Sequence, residues 1–168
     1  MRIVGVALQI VLFLALIFAS LLVAGVISNR LPLNDPPGFG TRILTYLSTN
    51  VAETSVDSVF PELRLRRYEA PPSLIFDVAR RAIQGMKWEV IAMDDTKNEI
   101  HAVVTTKVWK FKDDVTVQIQ PAQPSGSWLW IRSASRVGKG DLGANTRHVI
   151  DLVRYVDETV PKQALVTQ

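Results

Sequence analysis

The stretch "VTVQIQPAQPSGSWLWIRSAS" (115–135) decides the fold, because it contains two strand-like runs joined by a short loop. In "VTVQIQ" (115–120), apolar Val115, Val117 and Ile119 alternate with polar residues, which is the period of a strand with one buried face. The loop "PAQPSG" carries proline, serine and glycine, which are turn residues. Because so short a loop joins neighbouring antiparallel strands, the sequence predicts an antiparallel sheet.

Two more strand-like runs lie upstream of this hairpin. They are "KWEVIAM" (87–93) and "EIHAVVTTKVWKF" (99–111), and the turn signal "DDTKN" separates them. The second run is long, β-branched and aromatic, and "KDD" marks its end. A shorter candidate strand spans residues 67–70. Short connections between successive runs again favour an antiparallel meander.

Two amphipathic helices flank the four runs. The first follows "PPS" (71–73), in which Ser73 is an N-cap residue. Its apolar stripe comprises Ile75, Val78, Ala79, Ala82, Ile83 and Met86. The second spans roughly 142–160 and ends before Pro161. The order β-α-β-β-β-β-α predicts an α+β domain of two layers, with the helices on one face of the sheet.

An apolar segment near the N-terminus predicts a single transmembrane helix. Residues 3–27 carry no charge, and Gln9 and Ser20 are their only polar side chains. As a helix this segment extends about 37 Å, which exceeds a hydrocarbon core of about 30 Å. A cleaved signal peptide with "VAG" (23–25) at its cleavage site is the alternative, but the apolar run is about twice the usual length. We therefore favour an uncleaved anchor.

A spacer and a short helix are predicted between the anchor and the domain. "NRLPLNDPPGFG" (29–40) contains three prolines and two glycines, which stop a helix and make a semi-rigid spacer. Helical spacing follows in 41–54, where the apolar positions are Ile43, Leu44, Leu47 and Val51. This helix either packs on its own domain or lies at the membrane surface, with Arg42 and Tyr46 near the headgroups.

The predicted organisation has five parts. They are a transmembrane anchor (1–28), a Pro/Gly linker (29–40), a juxtamembrane helix and connector (41–66), the α+β domain (67–160) and a C-terminal tail (161–168).

The charge of the chain argues against nucleic acid as a partner. Residues 1–42 carry three arginines and one aspartate, and the rest carries 16 basic and 15 acidic residues, which is a net charge of only +1. A nearly balanced domain lacks the basic surface that phosphate backbones require. The absence of cysteine excludes disulfides, zinc thiolate sites and thiol nucleophiles.

The stretch "SRVGKGDLGANTRH" (135–148) joins the last strand to the last helix. It is not a Walker A loop, because "GKG" is followed by Asp141 and no βαβ unit surrounds it. In a structural interpretation, Gly138 and Gly140 adopt positive φ and Asp141 caps the helix. In a functional interpretation, the helix N-terminus binds a small anion with help from Arg136, Lys139 and Arg147.

The adjacent carboxylates of "KFKDDV" (110–115) do not form a catalytic pair. On a strand, Asp113 and Asp114 would point to opposite faces and could not act together. In a turn, they would cap backbone N–H groups, or one of them would pair with Arg136 or Arg147. We expect no metal and no cofactor.

The histidines and tryptophans leave two questions open. His101 and His148, the only histidines, lack the spacing of metal ligands and are expected to be structural or exposed. Trp128 and Trp130 share one face of the last strand. They belong to the core if that face meets the helices, and form a binding surface if it is open.

Three blocks of the chain resemble a known family. "FPELRLRRYEAPP", "HAVVTTKVWKFKDDV" and "SASRVGKGDLGANTRH" are similar to the domain-of-unknown-function family 1499 of bacteria and plant plastids, and the resemblance covers residues 36–158. It implies a family without an assigned biochemical role, many of whose members are membrane-associated or exported. The residues that it singles out by motif are Phe111, Asp113, Asp114, Ser135, Arg136, Gly138, Asp141, Gly143, Asn145 and Arg147.

Together these observations predict a membrane-anchored binding or accessory domain that is not expected to be an enzyme. Its expected ligand is a small anion or a lipid headgroup, held by the basic side chains and glycines of the 135–148 stretch. Its expected partner is the lipid bilayer, through residues 3–27. A structural or assembly subunit of a membrane protein complex is the alternative, and an uncharacterised enzyme is a second one. We expect a bacterial inner-membrane protein with its domain on the non-cytoplasmic side.

Overall fold

The computed structural model describes residues 2–106 and 110–165. Its helices are α1 (Arg2–Ser28), α2 (Phe39–Ser48), α3 (Pro72–Gly85) and α4 (Ala144–Thr159). Its strands are β1 (Val51–Glu53), β2 (Arg66–Tyr68), β3 (Glu89–Asp94), β4 (Glu99–Thr105), β5 (Lys112–Pro121) and β6 (Ser127–Ser135). Short 3-10 turns occur at Pro61–Leu63 and Lys162–Ala164, and residues 166–168 of the predicted tail lie outside the described part.

The hairpin of β5 and β6 lies inside the sheet, as the alternating pattern of residues 115–135 predicts. Val117 lies opposite Ile131, and Ile119 lies opposite Leu129. The spatial order is β1-β6-β5-β4-β3, and β2 also pairs with β6. The strand pairings are antiparallel. The predicted α+β class is therefore confirmed.

Helices α3 and α4 pack on one face of the sheet and close the core. The residues of β5 and β6 that point towards them are almost completely buried: Val115, Val117, Ile119, Leu129 and Ile131. The helices contribute equally buried side chains, among them Ile75, Ile83, Leu152 and Val156. Because complete burial of one such side chain is worth about 1.5–3 kcal/mol, this layer supplies most of the stabilisation of the fold.

The helix predicted over 41–54 is wrong at its C-terminal end. α2 ends at Ser48, Thr49 is extended, and the next residues form β1. Val51 pairs with Ala134 of β6, and the two residues after it continue the ladder. Pairing with the sheet edge satisfies these backbone groups and thereby overrides the weak helical spacing.

Other predicted element ends also differ from the structure. The strand predicted over 99–111 ends at Thr105, and residues 107–109 lie outside the described part. "KDD" is not a turn, because Lys112, Asp113 and Asp114 begin β5 and pair with β4. Ser73 is not the N-cap of α3. That helix begins at Pro72, whose fixed φ and missing N–H suit the first helical position.

The apolar helix α1 is long enough to cross a membrane. The stretch Gly5–Ser28 reaches a mean hydropathy of 3.0, and its side chains are largely exposed. By length and composition it meets the requirements of a membrane span, which a signal sequence also meets. The predicted apolar helix is therefore present. Beyond its end, Leu31 is buried within the predicted linker.

Candidate functional site

The glycine-rich loop between β6 and α4 is held by its own aspartate. The Oδ1 atom of Asp141 accepts a hydrogen bond from the Gly143 N–H at 2.8 Å, and Oδ2 accepts one from the Asn145 N–H at 2.9 Å. This carboxylate occupies N–H groups at the start of α4, where its charge also favours the helix dipole. Burial raises the pKa of Asp141, and the N–H donors oppose that rise.

The same loop lies directly against the C-terminal end of α2. The Leu142 N–H donates to the Tyr46 carbonyl at 3.0 Å. A Cβ atom on Gly140 would lie 2.2 Å from the Leu47 carbonyl oxygen, so this close approach requires glycine. The predicted positive φ is found at Gly138, where φ is 91°, but Gly140 does not adopt it. The second glycine makes room for a helix instead of reversing the chain.

The two arginines of the loop and α4 are paired with carboxylates. Arg136 donates from Nε and Nη2 to Asp114 Oδ1 at 3.0 and 2.7 Å, and this contact lowers the pKa of Asp114. Arg147 pairs with Asp151, one turn further along α4. Lys139 is exposed and forms no ion pair with another described residue. Anion binding at this loop stays a prediction, for which Lys139 is the one of the three cations without a paired carboxylate.

A buried polar cluster lies between the sheet and α4. Asp113, Ser133 and Asn145 are completely buried. The Ser133 hydroxyl donates to Asn145 Oδ1 at 2.5 Å and lies 3.2 Å from His148 Nδ1. The Asn145 amide donates to Ser135 Oγ at 2.9 Å. These bonds tie the end of β6 to the first turns of α4.

The carboxylate of Asp113 is the group of this cluster that has the fewest hydrogen-bond partners among the described residues. Neither of its carboxylate oxygens accepts a hydrogen bond from a described residue, and Oδ2 lies 3.7 Å from His148 Nδ1. Burial raises the pKa of Asp113. The nearby Ser135 hydroxyl opposes that rise, although it does not form a hydrogen bond with the carboxylate. Burial lowers the pKa of His148 to about 4. The site therefore favours the neutral form of both groups.

The cluster lacks the geometry of a catalytic relay. In such a relay, the nucleophile and the acid contact different nitrogens of the imidazole ring. Here Ser133 and Asp113 both approach Nδ1 of His148. Ser133 is also completely buried, which keeps its hydroxyl away from a substrate. In the described ranges 2–106 and 110–165, no three His, Asp or Glu side chains gather as metal ligands.

Only part of the predicted residue set comes together in space. Asp113 and Asn145 belong to the buried cluster, and Ser135 and Asp141 each accept a hydrogen bond from Asn145. Asp114 and Arg136 form their pair on the opposite face of the sheet, as the adjacency of the two aspartates predicts. Phe111 is half-exposed just before β5, and its N–H donates to Thr106 Oγ1 at 2.9 Å. Gly143 adopts a φ of 81° immediately before α4.

Ser133 is the member of the cluster that sequence reasoning missed. A signal for it exists, because it follows Leu129 and Ile131 at the period of two and so places a hydroxyl on the apolar face. Asp113 precedes Val115 in the same way. The proximity of His148 has no such signal, since it depends on how α4 packs against the sheet.

The end of α1 packs against the glycine-rich loop. Asn29 Nδ2 donates to the Leu142 carbonyl at 2.9 Å. A Cβ atom on Gly143 would lie 2.1 Å from Leu31 Cδ1, so the leucine occupies the space that the glycine leaves. The loop therefore connects the apolar helix to the domain. We call this contact, formed by residues 29–31 and 136–143, the anchor joint.

Trp128 and Trp130 lie on the open face of the sheet, away from the helices. The neighbouring odd-numbered residues of β6 are buried, whereas these two are partly exposed. The Arg67 guanidinium lies 6.0 Å from the centre of the Trp128 ring, and Trp130 Nε1 donates to Glu53 Oε1 at 3.2 Å. Of the two alternatives, core placement is therefore wrong, and a role in binding stays a prediction.

A cavity of about 240 Å³ lies between α2, β1 and the start of α4. Its walls include the aromatic rings of Tyr46 and Phe60 and the hydroxyls of Thr45 and Thr146. No arginine, lysine or histidine lines it among the described residues. The carboxylates of Glu53 and Asp141 also line it, so its chemistry is unfavourable for an anion.

A known family matches most of the domain. The model of a family described as protein of unknown function (DUF1499) matches residues 33–155. This range begins after the apolar helix and contains both the glycine-rich loop and the buried cluster. No protein in the curated comparison matches the chain.

Proposed function

The chain belongs to this family of unknown function, and we propose that it is a single-span membrane protein whose domain serves as a binding or accessory module at the membrane surface. The observation that carries this proposal is the anchor joint. An apolar helix that could cross a bilayer ends in hydrogen bonds and packing contacts with the loop that the family resemblance singles out. Cleavage near residues 23–25 would remove α1 up to Gly25, which lies against the Leu142 side chain, and would keep the contacts of residues 29–31.

Anchoring is tested on the full chain in its host membrane. We expect the protein to remain in the membrane pellet after extraction at alkaline pH and to keep the N-terminal mass of an unprocessed chain. Release into the supernatant, or a mass that corresponds to cleavage near residues 23–25, would overturn the proposal. These two measurements separate an anchor from a leader because only a leader is removed.

We propose that the domain lies on the non-cytoplasmic side. The support is the charge around the span: the α-amino group and Arg2 lie before it, and of Arg30 and Arg42 after it, only Arg30 is exposed. Arg42 is buried in the domain and is therefore unlike a free juxtamembrane charge. Added protease should digest the domain in spheroplasts. Protection there, with digestion only after lysis, would place the domain in the cytoplasm.

We propose a lipid headgroup, an anion, as the ligand of the exposed Lys139. The neighbouring arginines already neutralise carboxylates, so the lysine is free to meet a phosphate near the anchor joint. The variant Arg136→Ala plus Lys139→Ala should bind phosphatidylglycerol vesicles and inorganic phosphate more weakly in calorimetry. Arg81→Ala, an exposed arginine of α3, is the control and should change neither. Unchanged binding of both probes in the double variant would rule out an anionic ligand here. Weaker binding of inorganic phosphate with unchanged binding of vesicles would rule out the lipid headgroup.

A subunit of a membrane complex is the second candidate function, and β3 favours it. This strand pairs with β4 on one side, and its apolar side chains are exposed: Val90 (42%), Ile91 (56%) and Met93 (46%). An exposed apolar edge strand is a common place for another chain to pair. Extraction in mild detergent followed by size analysis distinguishes the candidates. A monomer supports the module, and a larger stable assembly that Ile91→Lys dissociates supports the subunit.

A further inference from the structure

Helix α2 buries its charged side and exposes its apolar side. Arg42 is completely buried, and its Nη1 contacts Glu62 Oε1 at 2.5 Å and the Tyr46 hydroxyl at 3.0 Å. Its Nη2 donates to the Pro36 carbonyl at 2.6 Å. The inward side of α2 is therefore polar, and the Arg42 guanidinium group has hydrogen-bond partners, whereas the inward side of an ordinary surface helix is apolar. The helix therefore packs on its domain through Arg42 and Tyr46, and the predicted position of these two side chains near the headgroups is wrong.

The outward side of α2 carries a continuous apolar stripe. Phe39, Ile43 and Leu47 are four residues apart and so lie along one side of the helix, with Leu44 beside them. Phe39 is 57%, Leu44 68% and Leu47 44% exposed. Within residues 2–106 and 110–165, the contacts of the domain leave all three side chains exposed. An isolated exposed leucine is ordinary, but three large apolar side chains on one short helix form a patch.

The apolar stripe lies next to the place where α1 ends. The C-terminal turn of α2 contacts Gly140 and Leu142 of the anchor joint. Leu142 in turn contacts Gly25 and Asn29 at the end of α1. Leu142 therefore connects the stripe-bearing helix α2 to the apolar helix α1. The exposed Lys139 belongs to the same joint and has no acidic partner among the described residues.

We propose that α2 lies in the interface of the bilayer that α1 crosses, with its apolar stripe at the boundary of the acyl chains. The proposal rests on the proposed anchoring and adds a second contact between the domain and the lipid. A lipid surface fits because it is continuous with the surroundings of α1 and offers anionic headgroups to Lys139. The contact would hold the domain in one orientation on the membrane, since two separated attachments leave little freedom of rotation.

The test uses the full chain, which contains no cysteine, in nanodiscs of phosphatidylcholine and phosphatidylglycerol. An environment-sensitive fluorophore is attached at Leu47→Cys and, in a matched control, at Thr41→Cys, about 120° around the helix. Lipids with a nitroxide near the top of the acyl chain should quench the label at position 47 about twofold and leave the label at 41 nearly unchanged. Equal quenching at both positions, or none at 47, would overturn the proposal.

Two further measurements distinguish the lipid contact from a protein contact and from anchoring by α1 alone. A label at 47 that is shielded from water but not quenched by nitroxide lipids would mean that a second copy or another protein covers the stripe, which overturns the lipid contact. Leu44→Ser plus Leu47→Ser, labelled at Phe39→Cys, should lose the quenching while the protein remains resistant to alkaline extraction. If the label at Phe39→Cys is not quenched even with Leu44 and Leu47 intact, while extraction resistance persists, the interfacial contact is wrong and the anchor stands. Loss of extraction resistance in the unmodified chain defeats both.

Discussion

Asp113 and Asp114 show how two adjacent identical residues acquire opposite chemistry. Strand alternation turns the first towards α4, where burial raises its pKa, and the second to the open face, where Arg136 lowers its pKa. Strand alternation predicts this opposition, and pairing of one aspartate with Arg136 is among the alternatives that the sequence leaves open. It does not predict the contact with His148, because the distance between that helix residue and the sheet arises from tertiary packing.

Substitution of Asp113 by asparagine should have a stability effect that changes with pH. A carboxyl whose folded pKa is raised stabilises the fold below its unfolded value, and that stability is lost as pH rises through the folded pKa. Asparagine is neutral at every pH. The free energy of unfolding of Asp113→Asn should therefore increase relative to the unmodified chain as pH rises from the ordinary aspartate pKa through the raised folded pKa, by about 1.4 kcal/mol for each unit of pKa shift.

Asp114→Asn is the matched control, and its effect should have the opposite sign. The folded pKa of Asp114 is lowered, so its contribution is present above the unfolded value and is lost as pH falls through the folded pKa. This variant should become less stable relative to the unmodified chain as pH rises, by about 0.2–1 kcal/mol, since the pair is partly exposed. Denaturant unfolding at several pH values measures both. Parallel pH profiles for the two variants would contradict these assignments.

At the scale of elements, the contact between α2 and the glycine-rich loop explains why composition alone misleads. Glycines, lysine and aspartate together suggest either a ligand cradle or a turn, and the structure adds a third reason, which is room for a helix end. The end of α2 itself could not be predicted, because helical spacing in 41–54 competes with three pairs to the edge of β6. Long alternating runs such as β5 were predictable, since their period repeats many times.

Gly140→Ala should destabilise the domain through this contact. The new Cβ would lie 2.2 Å from the backbone oxygen of Leu47, so α2 must move away from the loop. We expect a loss of about 1–3 kcal/mol in the free energy of unfolding. Gly85→Ala is the control, because its Cβ would meet nothing within 4 Å, and it should be neutral or stabilise α3 by about 0.5–1 kcal/mol. Equal effects of the two variants in thermal or denaturant unfolding would contradict the close approach.

At the scale of the molecule, the sequence predicts the parts better than their connection. The apolar helix, the antiparallel sheet and the two helices that cover it all follow from hydrophobic period and length. The prolines and glycines of residues 29–40 indicate a spacer, yet Leu31 is buried there against the loop before α4. A spacer that packs and one that does not have the same composition, so the anchor joint becomes visible only in the fold.

The anchor joint is tested most directly by the distance between α1 and the domain. Spin labels at Val23→Cys and Arg81→Cys, which are both exposed positions, report this distance. It is measured by pulsed electron paramagnetic resonance on the full chain in nanodiscs. A packed joint predicts one narrow distance distribution, which Asn29→Ala plus Leu31→Ser broadens by removing the hydrogen bond and the apolar contact. A distribution in the doubly labelled chain that is already broad, and that the joint variant leaves unchanged, would show a domain on a free tether and contradict the joint.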